Sequence, residues 1–208
     1  GIAEYTDGEP EAVGAIAHIA KAAPQSELRH LALSNCRIDN DGAKYLAEMI
    51  AADGPLETLD LGHNKSIGAA GINAIGEALL QNDTLRAITL PLEGLKPEDI
   101  EPFFNALSRT DNLVHVFFTF DSKEEEKTFS KPLTKALAGH RNLLAAGCTH
   151  DEAITPTLKK LCLKNQWVMN GILNQCHRAR SLDASAQEDM VWRLPSIMYS
   201  FDKSVHAD

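Results

Sequence analysis

The sequence has few cysteines, few aromatic residues and no long apolar segment. Four of the 208 residues are cysteine, and they are widely scattered, so we expect neither a disulfide framework nor a metal site of closely spaced thiols. No apolar run reaches the roughly 18 residues that a membrane-spanning helix requires, and the first residues lack the pattern of a signal peptide. We therefore predict free thiols, no bound metal, no membrane association and a reducing, cytoplasmic location.

Basic residues are fewer than acidic residues. The chain has 20 Lys and Arg against 29 Asp and Glu, a formal net charge of −9. Nucleic-acid-binding surfaces are usually basic, so we predict no nucleic-acid partner, whereas a basic protein partner is compatible with this charge. The sequence has no P-loop, no glycine-rich dinucleotide fingerprint and no Ser-His-Asp arrangement. We therefore predict that the protein is not an enzyme and uses no cofactor.

What the sequence does contain is a repeated spacing of apolar residues. The first copy places them at Leu28, Leu31, Leu33, Cys36 and Ile38. This spacing fits a short strand followed by a sharp turn, with Cys36 and Ile38 packed beneath the strand. Later copies begin at leucines that follow at intervals of 28, 29, 28 and 30 residues. These leucines are Leu56, Leu85, Leu113 and Leu143.

Equivalent apolar positions of successive copies should stack in ladders across the strands. One predicted ladder consists of Leu31, Leu59, Ile88 and Val116. The next consists of Leu33, Leu61, Leu90 and Phe118. Between the strands, apolar residues recur with helical spacing. We predict helices at 11–23, 41–52, 69–80 and 97–107, one that ends near residue 138, and two more at 152–164 and 165–180.

This pattern resembles the leucine-rich repeat, L-x-x-L-x-L-x-x-N/C-x-L, and the long unit with a full helix is similar to the ribonuclease-inhibitor subtype. The resemblance implies an α/β fold, a curved solenoid with parallel inner strands and outer helices. We predict a partial N-terminal repeat helix at 1–27, repeats at 28–151 and a helical C-terminal cap at 152–208, because the ends of such an array need covering. The chain starts without Met and within a repeat, so we expect a fragment of a longer protein.

The resemblance also implies a binding role for the concave face. Residues between the strand leucines should face outward there, since side chains alternate along a strand. The predicted partner-binding residues are His30, Asp60, His63, Thr89, His115, Phe117 and Phe120. The predicted centre is formed by His115, Phe117 and Phe120, because aromatic residues are enriched among binding hot spots.

Several functions fit such an array. A protein-binding scaffold is the first hypothesis, since an open concave surface suits a protein better than a small substrate. GTPase activation is the second, because Ran GTPase-activating proteins resemble this subtype, and Arg37 and Arg109 would be loop-side candidates. Actin-end regulation is the third, because 143–147 and the helix after it are similar to the end of the array in tropomodulins. A bacterial effector that binds a host protein is the fourth.

The sequence offers two pairs of Cys and His as zinc candidates. They are Cys148 with His150, and Cys176 with His177. Their spacing differs from the CxxC pairs of structural zinc sites, and Cys148 should face the core. Cys176 is a poor candidate for a nucleophile activated by His177, because neighbouring residues on a helix point in different directions. We predict no metal site and no catalytic residue.

Overall fold

The computed structural model describes residues 10–150 and 153–178, in which one parallel sheet is covered by helices. The five strands follow chain order across the sheet. The strands are β1 (His30–Ala32), β2 (Thr58–Asp60), β3 (Ala87–Pro91), β4 (His115–Thr119) and β5 (Ala145–Cys148). The helices are α1 (Pro10–Ala22), α2 (Asn40–Ala51), α3 (Ala69–Leu79), α4 (Glu101–Leu107), α5 (Lys123–Leu137) and α6 (Pro156–Arg178). This arrangement confirms the predicted α/β leucine-rich-repeat solenoid.

The strand register follows the repeat in the sequence. Leu31 is paired with Leu59, Leu59 with Ile88, and Ile88 with Val116, as the first predicted ladder requires. Leu90 is paired with Phe118 in the second ladder. Leu59, Leu61 and Leu90 are fully buried, so the ladders form the centre of a continuous hydrophobic core.

The turns after β1 and β2 are joined by the ninth residue of the second repeat. This residue is Asn64, which is buried and accepts hydrogen bonds from the backbone N–H groups of Cys36 (2.9 Å) and Ile38 (3.1 Å). Its amide nitrogen donates to the carbonyls of Leu33 and Leu61, both at 2.8 Å. One asparagine therefore satisfies backbone groups of two repeats that would otherwise be buried without partners.

The prediction that Cys36 packs beneath its strand is wrong. Its backbone N–H points inward to Asn64, but its side chain is exposed. The residues on either side, Asn35 and Arg37, have positive φ angles of 56° and 55°. These left-handed residues turn the chain so that the thiol of Cys36 faces outward, while Ile38 is buried as predicted.

Two predicted helical segments differ from the structure. Residues 97–107 form a 3-10 turn, Pro97–Ile100, followed by the short helix α4. Pro97 and Pro102 each occupy the start of a helical turn, where the missing N–H is tolerated, and this splits the segment in two. At the C-terminus, the two predicted helices are the single helix α6.

Helix α6 continues through residue 165, where the side chain of Asn165 is buried against the last repeat. Its amide nitrogen donates to the carbonyls of His140 (3.3 Å) and Leu143 (2.8 Å), so its side chain is held against the last repeat. The rest of the predicted cap, residues 179–208, lies outside the described residues. None of the helices in the described ranges has both the length and the apolarity to cross a bilayer.

Candidate protein-binding face

Side chains that alternate with the buried ladders form two rows across the sheet. Because the strands are in register, equivalent residues of each repeat lie side by side. Neighbouring strands are about 4.8 Å apart. The first row consists of His30, Thr58, Ala87, His115 and Ala145. The second row consists of Ala32, Asp60, Thr89, Phe117 and Gly147.

Phe117 is an exposed aromatic residue within the second row. The residue is 39% exposed to solvent. Its neighbours on the adjacent strands are Thr89 and Gly147. A Cβ atom at Gly147 would lie only 2.7 Å from Cδ2 of Phe117. The ring therefore lies across the glycine backbone of β5, and the absence of a side chain there makes room for it.

His115 stands beside Phe117 in the first row. Its neighbours across the strands are Ala87 and Ala145, whose short side chains leave it exposed above the sheet. Partial burial of the imidazole lowers the pKa of His115 below its ordinary value, which favours the neutral form. His115 and Phe117 therefore form an uncharged ridge with small residues on both sides.

Asp60 and Thr89 provide polar groups next to this ridge. The Asp60 carboxylate accepts a hydrogen bond from the backbone N–H of Gly62 at 2.9 Å, which holds its side chain along the strand end. Thr89 lies between Asp60 and Phe117 in the row. The structure thus brings together four of the predicted binding residues.

His30 and His63 lie apart from that group. His30 is three strands away from His115, and its Nδ1 is 3.0 Å from Oγ1 of Thr58. His63 lies in the loop after β2 with a positive φ of 59°. Its Nδ1 is 3.1 Å from Oε1 of Glu93, in the loop after β3. His30 is therefore at the margin of the face, and His63 is at the loop edge.

The prediction that Phe120 belongs to the exposed face is wrong. Phe120 is only 3% exposed, and its ring centroid lies 5.1 Å from that of Phe129 in α5. The strand ends at Thr119, so the alternation of side chains no longer applies at the next residue. Leu92, at the same position of the preceding repeat, is also buried.

A charged cluster at the loop edge was not predicted from the sequence. Glu93 is buried at 3% exposure and takes the ninth repeat position that Asn64 holds one repeat earlier. It contacts His63, and a Lys65–Asp121 ion pair joins the loops after β2 and β4, which lie on either side of the Glu93 loop. The available signal was the carboxylate at the ninth position in both Glu93 and Asp121, where a neutral Asn or Cys is expected.

Metal-ligating side chains do not converge in the part of the chain that the structure describes: there, no three His, Cys, Asp or Glu residues form a group able to hold an ion. Cys148 is buried, as expected from its repeat position. Burial raises the pKa of the Cys162 thiol, which favours its protonated, unreactive form.

Comparisons with known proteins agree with this architecture. A family model described as a leucine-rich repeat matches residues 27–47 and 55–76. The structure named "Leiomodin-1 Actin-Binding Site 2 (ABS2)" is similar at 17% identity and a TM-score of 0.59, over 81% of this chain and 95% of the other. A tropomodulin C-terminal domain from Caenorhabditis elegans is similar at 15% identity and a TM-score of 0.57, over 76% and 95% respectively. No curated protein sequence matches the chain.

Proposed function

Starting from the leucine-rich-repeat solenoid as the established fold, we propose that this chain is a protein-binding module and not an enzyme. Its partner docks on the concave face around Phe117 and His115. The observation that carries the proposal is the exposed ring of Phe117, held over Gly147 in the middle of an uncharged ridge. Asp60 and Thr89 make the polar surround, His30 the margin and His63 the loop edge.

The geometry of Phe117 suits a binding hot spot. Its ring already rests on the β5 backbone, so docking a partner orders it little further, and a pre-organised side chain loses less entropy on binding. Ala87, Ala145 and Thr89 are small and leave space on both sides of the ridge. A partner side chain that fills this space would bury the ring and exclude water, which is the environment in which aromatic hot spots act.

Acidic charge supports a partner that carries basic groups. Asp60 places a carboxylate on the concave face, and the chain carries a net charge of −9. Opposite charges on a partner would raise the association rate and make it depend on salt. We further propose that the array is of the ribonuclease-inhibitor subtype and acts in the cytoplasm.

Affinity capture with two matched variants tests the proposal. Phe117→Ala removes the exposed ring of the concave face, and Tyr45→Ala removes an aromatic residue of nearly equal exposure, 38%, from helix α2. Proteins held by the wild type and by Tyr45→Ala, but lost by Phe117→Ala, would support the concave face. If every captured protein is retained equally by both variants, the proposed site is wrong.

Actin-end regulation is the second candidate function. The similarity to a leiomodin-1 structure that is named for an actin-binding site motivates it. Cosedimentation with actin filaments and the elongation rate of labelled actin would test it. Binding together with a change in elongation supports this candidate, and the absence of both rejects it without affecting the concave-face proposal.

The GTPase-activating candidate is tested separately. Arg37 and Arg109 are its loop-side residues, and Arg109 lies in the turn that follows α4. Stimulated GTP hydrolysis that is lost in Arg109→Ala would support it. Unchanged hydrolysis across small GTPases would reject it.

A further inference from the structure

A groove of about 610 Å³ lies on the helical side of the array, opposite the concave face. One wall is the 3-10 turn Pro97–Ile100 together with α4, and the other wall is the C-terminal half of α5. Its lining residues that matter for recognition are Glu98, Glu101, Phe104, Lys131, Pro132 and Lys135.

The lining residues recur at helical intervals on both walls. On the α4 side they fall at 97, 98, 101, 104, 105 and 108, and on the α5 side at 131, 132, 135 and 136. Intervals of three and four place residues on a single face of a helix. The groove therefore runs along both elements and is not a pit between two loops. The lining covers twelve residues on the α4 side, 97–108, and six on the α5 side, 131–136.

The floor of the groove is apolar and ordered. Phe104 forms part of it and packs between Phe103 and Phe129, at ring-centroid distances of 5.7 and 6.3 Å. Pro132 and Ala136 complete it from α5. Pro132 lacks a backbone N–H, so this part of the wall presents a hydrocarbon ring and no donor.

The two rims carry opposite charges. Glu98 and Glu101 are exposed on one side, and Lys131 and Lys135 are exposed on the other. Within residues 10–150 and 153–178, none of these four side chains takes part in an ion pair. Their charges are therefore available to a molecule that lies in the groove.

We propose that this groove binds an amphipathic helix of a partner protein. The apolar stripe of that helix lies on Phe104 and Pro132, its basic row faces Glu98 and Glu101, and its acidic row faces Lys131 and Lys135. Docking of an amphipathic helix into an apolar groove is a general recognition mode, and the paired rims add charge complementarity to it. This second surface is separate from the concave face and does not depend on Phe117.

Three synthetic 14-residue helical peptides with the same leucine stripe provide the probes. One has Lys along one edge of the stripe and Glu along the other, the second has Lys on both edges, and the third has Glu on both. The wild type should bind the mixed peptide at least tenfold more tightly than either other peptide in fluorescence anisotropy. The mixed peptide can turn end to end, so its two rows need no fixed order.

Charge reversal of each rim should change the preference in a defined way. Lys131→Glu with Lys135→Glu makes both rims acidic, so the peptide with Lys on both edges should become the tightest binder. Glu98→Lys with Glu101→Lys makes both rims basic and should favour the peptide with Glu on both edges. Circular dichroism and melting curves check that each variant is folded. An unchanged order of affinities in folded variants would overturn the proposal.

Filling the groove is an independent test. Asn105→Trp places a bulky ring over the floor from an exposed position, and Glu48→Trp places the same ring on the exposed face of α2 as a control. The first variant should lose binding of the mixed peptide at least tenfold, and the second should keep it. Loss in neither variant contradicts the proposal. A wild-type dimer in sedimentation that Asn105→Trp converts to a monomer would show that a second copy is the occupant and would also overturn it.

Discussion

The first and last strands of the described sheet each pair with one neighbouring strand, yet their repeats are covered to different extents. At the β1 end, Leu28, Leu31 and Leu33 are only partly buried. At the β5 end, Leu143 is fully buried, although it has the same repeat position as Leu28. An apolar hollow lined by Ile19 and Leu28 lies at the first end, while α6 covers the last.

At the β5 end, side-chain amides of α6 donate the hydrogen bonds that a further repeat would donate. Inside the array, the amide of Asn112 donates to the carbonyls of Asn82 (3.0 Å) and Leu85 (2.9 Å) of the preceding repeat. In α6, the amide of Asn165 makes the equivalent bonds to His140 and Leu143.

A second side chain of α6 provides a hydrogen bond that the next strand would otherwise donate. The carbonyl of Arg86 accepts backbone N–H groups of the next strand, whereas the equivalent carbonyl of Leu144 accepts from the side chain of Gln166 at 2.6 Å. Two side-chain amides of a helix therefore take the place of the next repeat. A helix can end a parallel sheet in this way without a further strand.

Of the changes that test this difference between the two ends, removal of α6 should affect solubility and stability most. Truncation after residue 151 removes α6 and exposes both Leu143 and the edge of β5, and exposed sheet edges promote aggregation. We expect the 1–151 fragment to be poorly soluble, as measured by the soluble fraction after expression. A soluble fragment with a cooperative melting transition would show that α6 is dispensable for the fold.

A matched pair of leucines compares the two ends directly. Leu143→Ala should destabilise the fold by about 2–5 kcal/mol through cavity formation. Leu28→Ala should cost clearly less, because that side chain is already partly exposed. Urea unfolding of both variants measures the difference. Equal losses would mean that the two ends are equally well covered.

The side-chain amides of α6 should contribute less than the leucine core. Asn165→Ala leaves the carbonyls of His140 and Leu143 without these donors, which should cost about 1–3 kcal/mol. Gln166→Ala should have a smaller effect, since Gln166 is exposed and water can replace it. If both variants unfold at the wild-type urea concentration, the amides do not close the array.

The pH dependence should be a smaller effect and should come from the C-terminal half. Burial lowers the pKa of His140, although its bond to the Leu107 carbonyl and nearby Asp111 oppose the shift. The unfolded chain therefore binds a proton that the folded chain resists, and stability should fall as the pH drops through about 6.5. Urea unfolding at pH 7.5 and 5.5 tests this. His140→Gln should weaken the pH dependence, and an unchanged dependence would exclude His140 as its source.

The sequence allowed the repeat register to be predicted because the same apolar spacing recurs five times. Leu31, Leu59, Ile88 and Val116 follow from that recurrence alone. Phe120 and Cys36 were misplaced because alternation holds only within a strand, and neither strand end is marked in the sequence. Those two errors arose where a turn or a loop packs against another element.

Contacts between distant residues account for the rest. The His63–Glu93 pair joins two loops 30 residues apart; the unusual carboxylate at the ninth repeat position does not by itself indicate that His63 is its partner. The continuity of α6 depends on carbonyls of the preceding repeat that accept from Asn165. Gly147 receives the Phe117 ring because of the register between β4 and β5. Each feature requires the three-dimensional arrangement in addition to the periodicity.

The central claim is that Phe117 contributes to binding and little to folding. The direct measurement is the dissociation constant of a captured partner for the wild type, Phe117→Ala and Tyr45→Ala, together with the melting temperature of each. We predict that Phe117→Ala melts close to the wild type and binds the partner at least about 30-fold more weakly, equivalent to about 2 kcal/mol, while Tyr45→Ala binds normally. Unfolding of Phe117→Ala, or wild-type affinity in that variant, would contradict the claim.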